Sequence, residues 1–198
     1  MKIFDISQEV FGCRVFPGDP VPEKRELMRM EEGSLYNLSE FSMCCHNGTH
    51  VDAPAHFIRD GKTIEELDTE CFVGMAYVAE CSGDITGDNA REILVKAEEA
   101  DREAAKRILI KGDAVVTGAA AEIFADAGIY LLGNESQTVG PENAPMEVHL
   151  KLLGAEVVLL EGIRLRSVEE GVYLLNAAPL KLGGAEGSPC RAILIKED

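Results

Sequence analysis

Residues 46–57 read HNGTHVDAPAHF and contain three of the four histidines in this chain of 198 residues. Imidazole and carboxylate groups are ligands that divalent transition metals prefer, and here they recur in the pattern HxxxHxDxxxH. Gly48, Pro54 and the β-branched residues between them oppose a helix, so an extended segment is predicted. Side chains of an extended segment alternate between two faces, which places His50 and Asp52 on the same side.

Gly48 also indicates a tight backbone turn, which would bring His46 round toward His50. Together these residues predict a metal site at this segment of the chain. The residues leave one alternative open, a polar turn whose histidines only form hydrogen bonds with their neighbours.

The rest of the chain alternates β-like and helix-like patterns. The first third indicates antiparallel strands around a Pro/Gly turn at residues 17–20. Helical patterns follow over Asp88–Lys106, Thr117–Ala127 and Pro141–Leu153, separated by short apolar strands. No linker or repeat interrupts the pattern. The sequence therefore predicts one mixed α/β domain over residues 1–198, with helices packed on a central sheet.

Composition argues against several classes of partner. The chain has 35 Asp and Glu against 19 Lys and Arg, a formal net charge of −16, which repels nucleic acid and anionic membranes. Apolar runs such as Val157–Leu160 are far shorter than the roughly 20 residues of a membrane-spanning helix. Asp5 comes too early for a secretory signal peptide, so a cytoplasmic location is expected. The six cysteines show no CxxC pair, so free thiols are expected, in agreement with that location.

The array at residues 46–57 resembles the HxGTHxDxPxH signature of the metal-dependent cyclase family, which includes bacterial kynurenine formamidases and isatin hydrolases. Residues 15–19 resemble the family's aromatic-Pro-Gly-Asp entry loop, and residues 160–163 resemble its LEGL-type segment. Residues 179–182 and 187–192 look like its PLKL and GSPxRA stretches. The resemblance extends over nearly the whole chain and implies the family's cyclase-like fold, of the swivelling β/β/α type.

The resemblance implies a divalent metal cofactor, two Zn²⁺ ions with Mn²⁺ as the alternative. One ion would be held by His46, His50 and Asp52, and a second by Asp52, His149 and Glu161. From the residues alone, His149 lies in a predicted helix whose return strand leads to Glu161, an acid just past a buried run. Ordinary packing of His149 and a solvated strand end at Glu161 are the alternatives.

The chemistry of this ligand set points to hydrolysis. Divalent ions lower the pKa of a bound water from 15.7 to about 7, which predicts attack on an amide by metal-bound hydroxide. The resemblance implies that His56 is the general acid and base, taking a proton from the attacking water and passing it to the departing amine. Phe16, beside a turn proline, would give a planar substrate an aromatic wall, with core packing as the alternative. The sequence contains no GxSxG motif, so covalent catalysis has no support.

The expected function is therefore that of a metal-dependent hydrolase of a small amide. The resemblance implies an aryl formamide such as N-formylkynurenine, or a cyclic amide or imide. Two alternatives stay open, a ring-closing or dehydrating reaction on the same metal centre and a non-enzymatic metal or small-ligand binding protein. The resemblance also implies assembly into a homodimer or homotetramer.

Two segments depart from the family pattern. Only residues 112–116 separate the predicted strand Ile108–Lys111 from the next helix, where the formamidases carry a longer loop with aromatic residues. The family's GxDxxS segment reads GNESQT at residues 133–138, with Glu and Thr in place of Asp and Ser. We therefore expect a changed pocket wall and changed hydrogen bonds around it.

Overall fold

In the computed structural model, which describes residues 1–196, strands from the whole length of the chain meet in one sheet. The strands within that range are β1 (Lys2–Asp5), β2 (Glu23–Met28), β3 (Leu38–Ser42), β4 (His50–Asp52), β5 (Val73–Glu80), β6 (Gly83–Ile85), β7 (Arg107–Lys111), β8 (Ala114–Val116), β9 (Leu131–Asn134), β10 (Val158–Glu161), β11 (Gly171–Asn176), β12 (Gly187–Pro189) and β13 (Ile193–Lys196). The α-helices are α1 (Gly87–Ala100), α2 (Gly118–Asp126) and α3 (Met146–Gly154). Short 3₁₀ turns lie at Met30–Glu32, Pro54–His56, Ile64–Glu66, Thr69–Cys71 and Ala104–Lys106.

The main sheet has the strand order β1-β13-β11-β5-β7-β9-β10-β4-β12. Its centre, β5 to β10 in that order, is parallel, and the strands on both flanks pair antiparallel. Two short pairs lie outside it, the antiparallel hairpin β2–β3 and the parallel pair β6–β8. The mixed α/β fold expected from the sequence is confirmed, with an antiparallel hairpin in its first third.

The helices begin and pack as their sequences dictate. Thr86 accepts a hydrogen bond from the Asn89 backbone N–H, and the Asn89 side chain completes the capping box that starts α1. The Thr117 hydroxyl caps α2 by accepting a hydrogen bond from the Ala120 backbone N–H. Each helix buries apolar residues at helical spacing against one face of the sheet. These are Ala90, Ile93 and Ala97 of α1, Ala120, Ala121 and Phe124 of α2, and Val148, Leu152 and Leu153 of α3.

Two of the predicted helix boundaries were wrong. The first helix ends at Ala100, because Asp101 adopts an extended conformation and its carboxylate accepts hydrogen bonds from the next N–H groups, which start a separate turn at Ala104–Lys106. The third helix begins only at Met146. Pro145 occupies its N-cap, and a proline disfavours helical conformation in the residue before it.

Alternation along β4 and β10 decides which side chains meet the helices. Val51 packs in the apolar cluster on the face away from the helices, so His50 and Asp52 point to the helix face. Leu159 of β10 belongs to the helix-side cluster. Glu161, predicted to lie just past this strand, is instead its last residue, and it shares that face.

A buried hydrogen-bond network anchors the turn in front of β4. Oγ1 of Thr49 donates to the Gly162 carbonyl at 2.8 Å and accepts from the Gln8 backbone N–H at 2.9 Å. The Gln8 amide donates to the same carbonyl and to Oε1 of Gln137. Gly162 has φ of +70°, and a Cβ at this position would collide with the Gly48 carbonyl oxygen. The turn before β4 and the loop after β10 are thereby held together.

Two observations concern the state of the cysteines and the possibility of a membrane-spanning helix. All six cysteines, each of which lies within the described range, are free and partly buried, as expected. In residues 1–196 no helix combines the length and apolar character required to cross a membrane. The cytoplasmic location stays a prediction.

We predict that Thr49→Val destabilises the protein by about 1–3 kcal/mol, because the change keeps the shape but leaves the half-buried Gln8 N–H without its acceptor. Thr49→Ser is the matched control, since it keeps the hydroxyl. Urea unfolding of both variants and the parent protein in the presence of a chelator measures the difference. A valine variant as stable as the parent would show that the network does not hold this turn.

Candidate active site

Segments far apart in the sequence converge at the carboxyl end of β10. β4 pairs antiparallel with β10, so that His50 lies opposite Glu161. His149 projects from α3, the helix that leads into β10, and it is 3% exposed. Gly48 has φ of +65°, which confirms the predicted turn, and the rings of His46 and His50 lie 5.2 Å apart.

The carboxylate of Asp52 stands at the centre of this cluster. Its Oδ1 lies 2.8 Å from Nδ1 of His46 and 3.4 Å from Nε2 of His50, and its Oδ2 lies 3.7 Å from Nε2 of His149. The Glu161 carboxylate lies 3.4 Å from Nε2 of His50 and 3.3 Å from Nε2 of His149. The cluster forms two groups that share Asp52, with ligand atoms within 4.8 Å of one another in each. The structure thus brings together all five residues that were predicted to be ligands.

Each histidine of the cluster also has a partner on its other ring nitrogen. Nδ1 of His50 lies 3.1 Å from the Gly48 carbonyl oxygen, and Nδ1 of His149 lies 2.9 Å from that of Pro145. Nε2 of His46 lies 3.2 Å from Oε1 of Glu186. Outer acceptors of this kind select a tautomer and fix the orientation of a metal-binding imidazole.

The buried carboxylates favour positive charge at the centre of the cluster. Burial lowers the pKa of His50, but its hydrogen bonds to Asp52 and Glu161 outweigh this effect and raise the pKa to about 10. The same balance, with smaller effects, raises the pKa values of His46 and His149. Burial raises the pKa of Asp52, but hydrogen bonds from His46 and His50 hold it well below its usual range.

These residues fit a divalent metal ion. Among the described residues, Oδ2 of Asp52 finds no hydrogen-bond partner although it is buried, and a buried carboxylate oxygen without a partner is unfavourable unless a cation is near. Imidazole nitrogen and carboxylate oxygen are donors that suit both Zn²⁺ and Mn²⁺. The individual ligand roles stay predictions.

A cavity of about 260 Å³ opens beside the cluster, and its lining includes the two other predicted site residues, Phe16 and His56. The ring of His56 stacks on that of His46, with centroids 4.0 Å apart, and lies 6.2 Å from that of His149. His56 therefore borders the cluster without belonging to either of its two groups. Phe16 is half-buried on the cavity wall rather than packed in the core.

The turn that follows β4 places His56 beside the cluster. Pro54 begins a 3₁₀ turn, a position where its missing N–H leaves no hydrogen bond unmade, and this turn carries His56 back over the cluster. Burial lowers the pKa of His56, against the opposing charge of Asp52. Its ring is therefore neutral at neutral pH and can accept a proton.

Phe57 and Glu186 were missed by reasoning from the sequence, whereas Gln137 and Thr138 lie in the segment 133–138 where a changed pocket was expected. Phe57, Gln137 and Thr138 line the cavity, and Glu186 contacts His46. Phe57 directly follows the histidine array, and Glu186 directly precedes the GSP stretch, so their positions next to motifs were the available signals. A contact between residues 140 positions apart leaves no local pattern.

The altered segment at residues 133–138 lines the cavity through Gln137 and Thr138 and also supports the fold. Glu135 lies in the altered segment, and its carboxylate accepts hydrogen bonds from the backbone N–H groups of Gly112 and Leu165 at 2.8 Å each. The short connection after β7 forms β8, which pairs with β6. The Glu135 carboxylate thus joins the connection between β7 and β8 to the loop after β10.

Comparison with known proteins identifies the family. A family model described as "Putative cyclase" matches residues 4–141, more than half of the chain. The chain belongs to the cyclase family. A relative from Salinibacter ruber, a kynurenine formamidase, is 35% identical over 213 residues, and the match covers 98% of this chain and 97% of the relative.

Solved structures similar to this one agree with a cyclase-family fold. One, described as a "predicted metal-dependent hydrolase from Bacillus stearothermophilus", has a TM-score of 0.80 and 28% identity, with 98% of this chain and 97% of that chain covered. Isatin hydrolase A from Labrenzia aggregata has a TM-score of 0.81 over 99% of this chain and 94% of its own. Its identity of 21% shows a common fold only. The resemblance and the fold class expected from the sequence are both confirmed.

We predict that Asp52→Asn removes more bound metal than His149→Ala, because Asp52 belongs to both groups of candidate ligands and His149 to one. Metal per chain is measured by elemental analysis after exposure to Zn²⁺ and gel filtration. Glu103→Gln, which removes one charge from an exposed ion pair with Lys106, is the control and should retain the parent's metal content. An Asp52→Asn variant that retains full metal content would contradict the shared role of this carboxylate.

Proposed function

We propose that this protein is a metal-dependent hydrolase of small amides, acting on a C–N bond other than a peptide bond. The observation that carries the proposal is a buried cluster of histidines and carboxylates on the wall of a cavity that His56 also lines. The names of the relatives support it, since they include a kynurenine formamidase and a metal-dependent hydrolase.

Two groups of residues would hold the metal. His46, His50 and Asp52 would bind one divalent ion, and Asp52, His149 and Glu161 a second. We propose Zn²⁺, with Mn²⁺ as the alternative, because both accept imidazole and carboxylate ligands. When bound, such an ion supplies a Lewis acid and lowers the pKa of a bound water to about 7.

His56 is the proposed general acid and base. Its neutral ring takes a proton from the attacking water and delivers it to the amide nitrogen as the C–N bond breaks. The stacked contact with His46 holds the ring at the edge of the cluster and on the cavity wall. Proton transfer by a positioned side chain is typically worth about 10²- to 10⁴-fold in rate.

The proposed substrate is an aryl formamide such as N-formylkynurenine, or a cyclic amide or imide. Phe16 and Phe57 both line the cavity, and aromatic side chains bind planar rings by stacking or edge contacts. We assign the wall for the aryl ring to Phe16. A cavity of about 260 Å³ suits a small molecule of this class.

We predict that His56→Ala lowers kcat by about 10²- to 10⁴-fold while leaving the metal content unchanged, because the variant removes the proton carrier and no candidate ligand. Turnover and metal per chain are measured on the same samples. Glu103→Gln, at an exposed position away from the cavity, serves as the control and should keep parental turnover. A fully active His56→Ala enzyme would refute the assigned role.

The substrate assay also separates the alternative functions. N-formylkynurenine, isatin and simple aryl formamides are incubated with the metal-loaded protein, and products are identified by mass. Addition of water across the C–N bond supports hydrolysis, whereas loss of water identifies a ring-closing or dehydrating reaction. Metal binding without turnover of any of these compounds would favour a binding protein.

We also propose that the chain forms a homodimer or homotetramer. The hairpin β2–β3 and the loop between its strands expose several large apolar side chains, and contiguous exposed apolar surface is typical of protein–protein contacts. They include Leu35 at 92% exposure, Phe41 at 57%, Met30 at 55% and Tyr36 at 53%.

We predict that Phe41→Asp shifts the protein to a smaller species, because a charge in a buried apolar contact is strongly unfavourable. Light scattering after gel filtration gives the mass of each variant. Val95→Asp is the matched control, since Val95 is 54% exposed on α1 and lies outside the hairpin. A monomeric parent protein would contradict the proposed assembly.

A further inference from the structure

Glu186 is a carboxylate at the candidate active site that the proposed reaction does not use. Its Oε1 lies 3.2 Å from Nε2 of His46, and its side chain is 46% exposed at the rim of the cluster. It is absent from both groups of candidate ligands, so its contact with the cluster passes through the His46 ring.

The backbone holds Glu186 in place. Its carbonyl oxygen accepts a hydrogen bond from the Ala53 N–H at 2.9 Å, and the next residue, Gly187, begins β12 opposite Asp52 of β4. A Cβ on Gly187 would lie 2.5 Å from Cε1 of His46, so the ring packs directly on this glycine. The segment that carries Glu186 is therefore hydrogen-bonded alongside β4, the strand that carries Asp52.

The three ligand histidines differ in what holds their outer nitrogen. For His50 and His149 the acceptor is a backbone carbonyl, which the fold itself provides. For His46 the acceptor is a side chain, that of Glu186. His46 is also the most exposed of the three side chains, at 13% against 1% and 4%. The orientation of the His46 ring therefore depends on a side chain, which a point mutation can remove, and not on the backbone.

We propose that Glu186 is a positioning residue for the metal centre, accepting the Nε2–H of His46 so that Nδ1 of that ring faces Asp52 and the metal. This inference rests on the proposed function, because it takes His46 to be a ligand. A carboxylate acceptor selects one tautomer and makes the opposite nitrogen a stronger donor. Loss of such an acceptor typically weakens metal affinity by 10- to 100-fold.

The test compares three variants in Zn²⁺ binding, measured by competition with a chelator and without substrate. Glu186→Ala removes the acceptor, Glu186→Gln keeps an acceptor oxygen without the charge, and Glu103→Ala removes a charge from an exposed pair with Lys106 as control. We expect a 10- to 100-fold weaker affinity for Glu186→Ala, recovery of most of that loss in Glu186→Gln, and no change in the control. Thermal unfolding of the metal-free proteins checks that the fold is intact.

A spectroscopic readout separates orientation of the ring from a general structural effect. With four histidines in the chain, ¹⁵N-histidine spectra of the Zn²⁺-loaded protein can resolve His46. We expect a single tautomer with the proton on Nε2 in the parent and in Glu186→Gln, and a mixture in Glu186→Ala.

Parental Zn²⁺ affinity in Glu186→Ala would overturn this inference and leave the proposed function unaffected. An equal loss in Glu186→Gln and Glu186→Ala would also overturn it, because the amide oxygen accepts the same hydrogen bond. A parent protein that binds neither Zn²⁺ nor Mn²⁺ would overturn the proposed function, and this inference with it.

Discussion

The carboxylate of Asp52 contacts three histidine rings while it is only 1% exposed, and the arrangement of the whole site depends on it. Burial of a carboxylate is strongly unfavourable unless opposite charge and hydrogen-bond donors surround it. The rings of His46, His50 and His149 provide that environment, and a divalent ion satisfies the same requirement. A substitution at this position therefore acts on both proposed metal positions, whereas a change at His149 acts on one.

The sheet brings these groups together by means of a very short strand. β4 has three residues, and it pairs on one side with β10 and on the other with β12. Alternation along β4 sends Val51 into the apolar cluster on one face and its two neighbours toward the helices on the other. Strand β10 then supplies Glu161 from the same face, and α3, which precedes β10 in the chain, supplies His149. The network around Thr49 keeps this short strand in register with the loop after β10.

The four histidines divide into two kinds by their surroundings. Those proposed as ligands have partners on both ring nitrogens, one toward the carboxylates and one toward an outer acceptor. His56 has ring contacts with His46 and Phe57, and it stands on the cavity wall with a pKa lowered by burial. A ring that is fixed at both nitrogens is suited to hold a metal, whereas a neutral ring at the cavity is suited to move a proton. Glu186 is the outer acceptor for His46, which is the most exposed of the proposed ligand histidines.

The fold class and the extended histidine array could be predicted from the sequence, because glycine, proline and alternation act over a few residues and leave a local pattern. The family was predicted from the resemblance of its motifs. The sequence also predicted Phe16 and His56 at the cavity, where the structure places both. It misplaced the end of α1 and the start of α3, where the side chain of Asp101 and the ring of Pro145 compete with the helix. The pairing of Glu161 with His50, the contact of Glu186 with His46 and the hydrogen bonds of Glu135 were decided by the tertiary structure alone. These contacts join residues that are distant in the chain, and only the packing of strands and loops determines which of them meet.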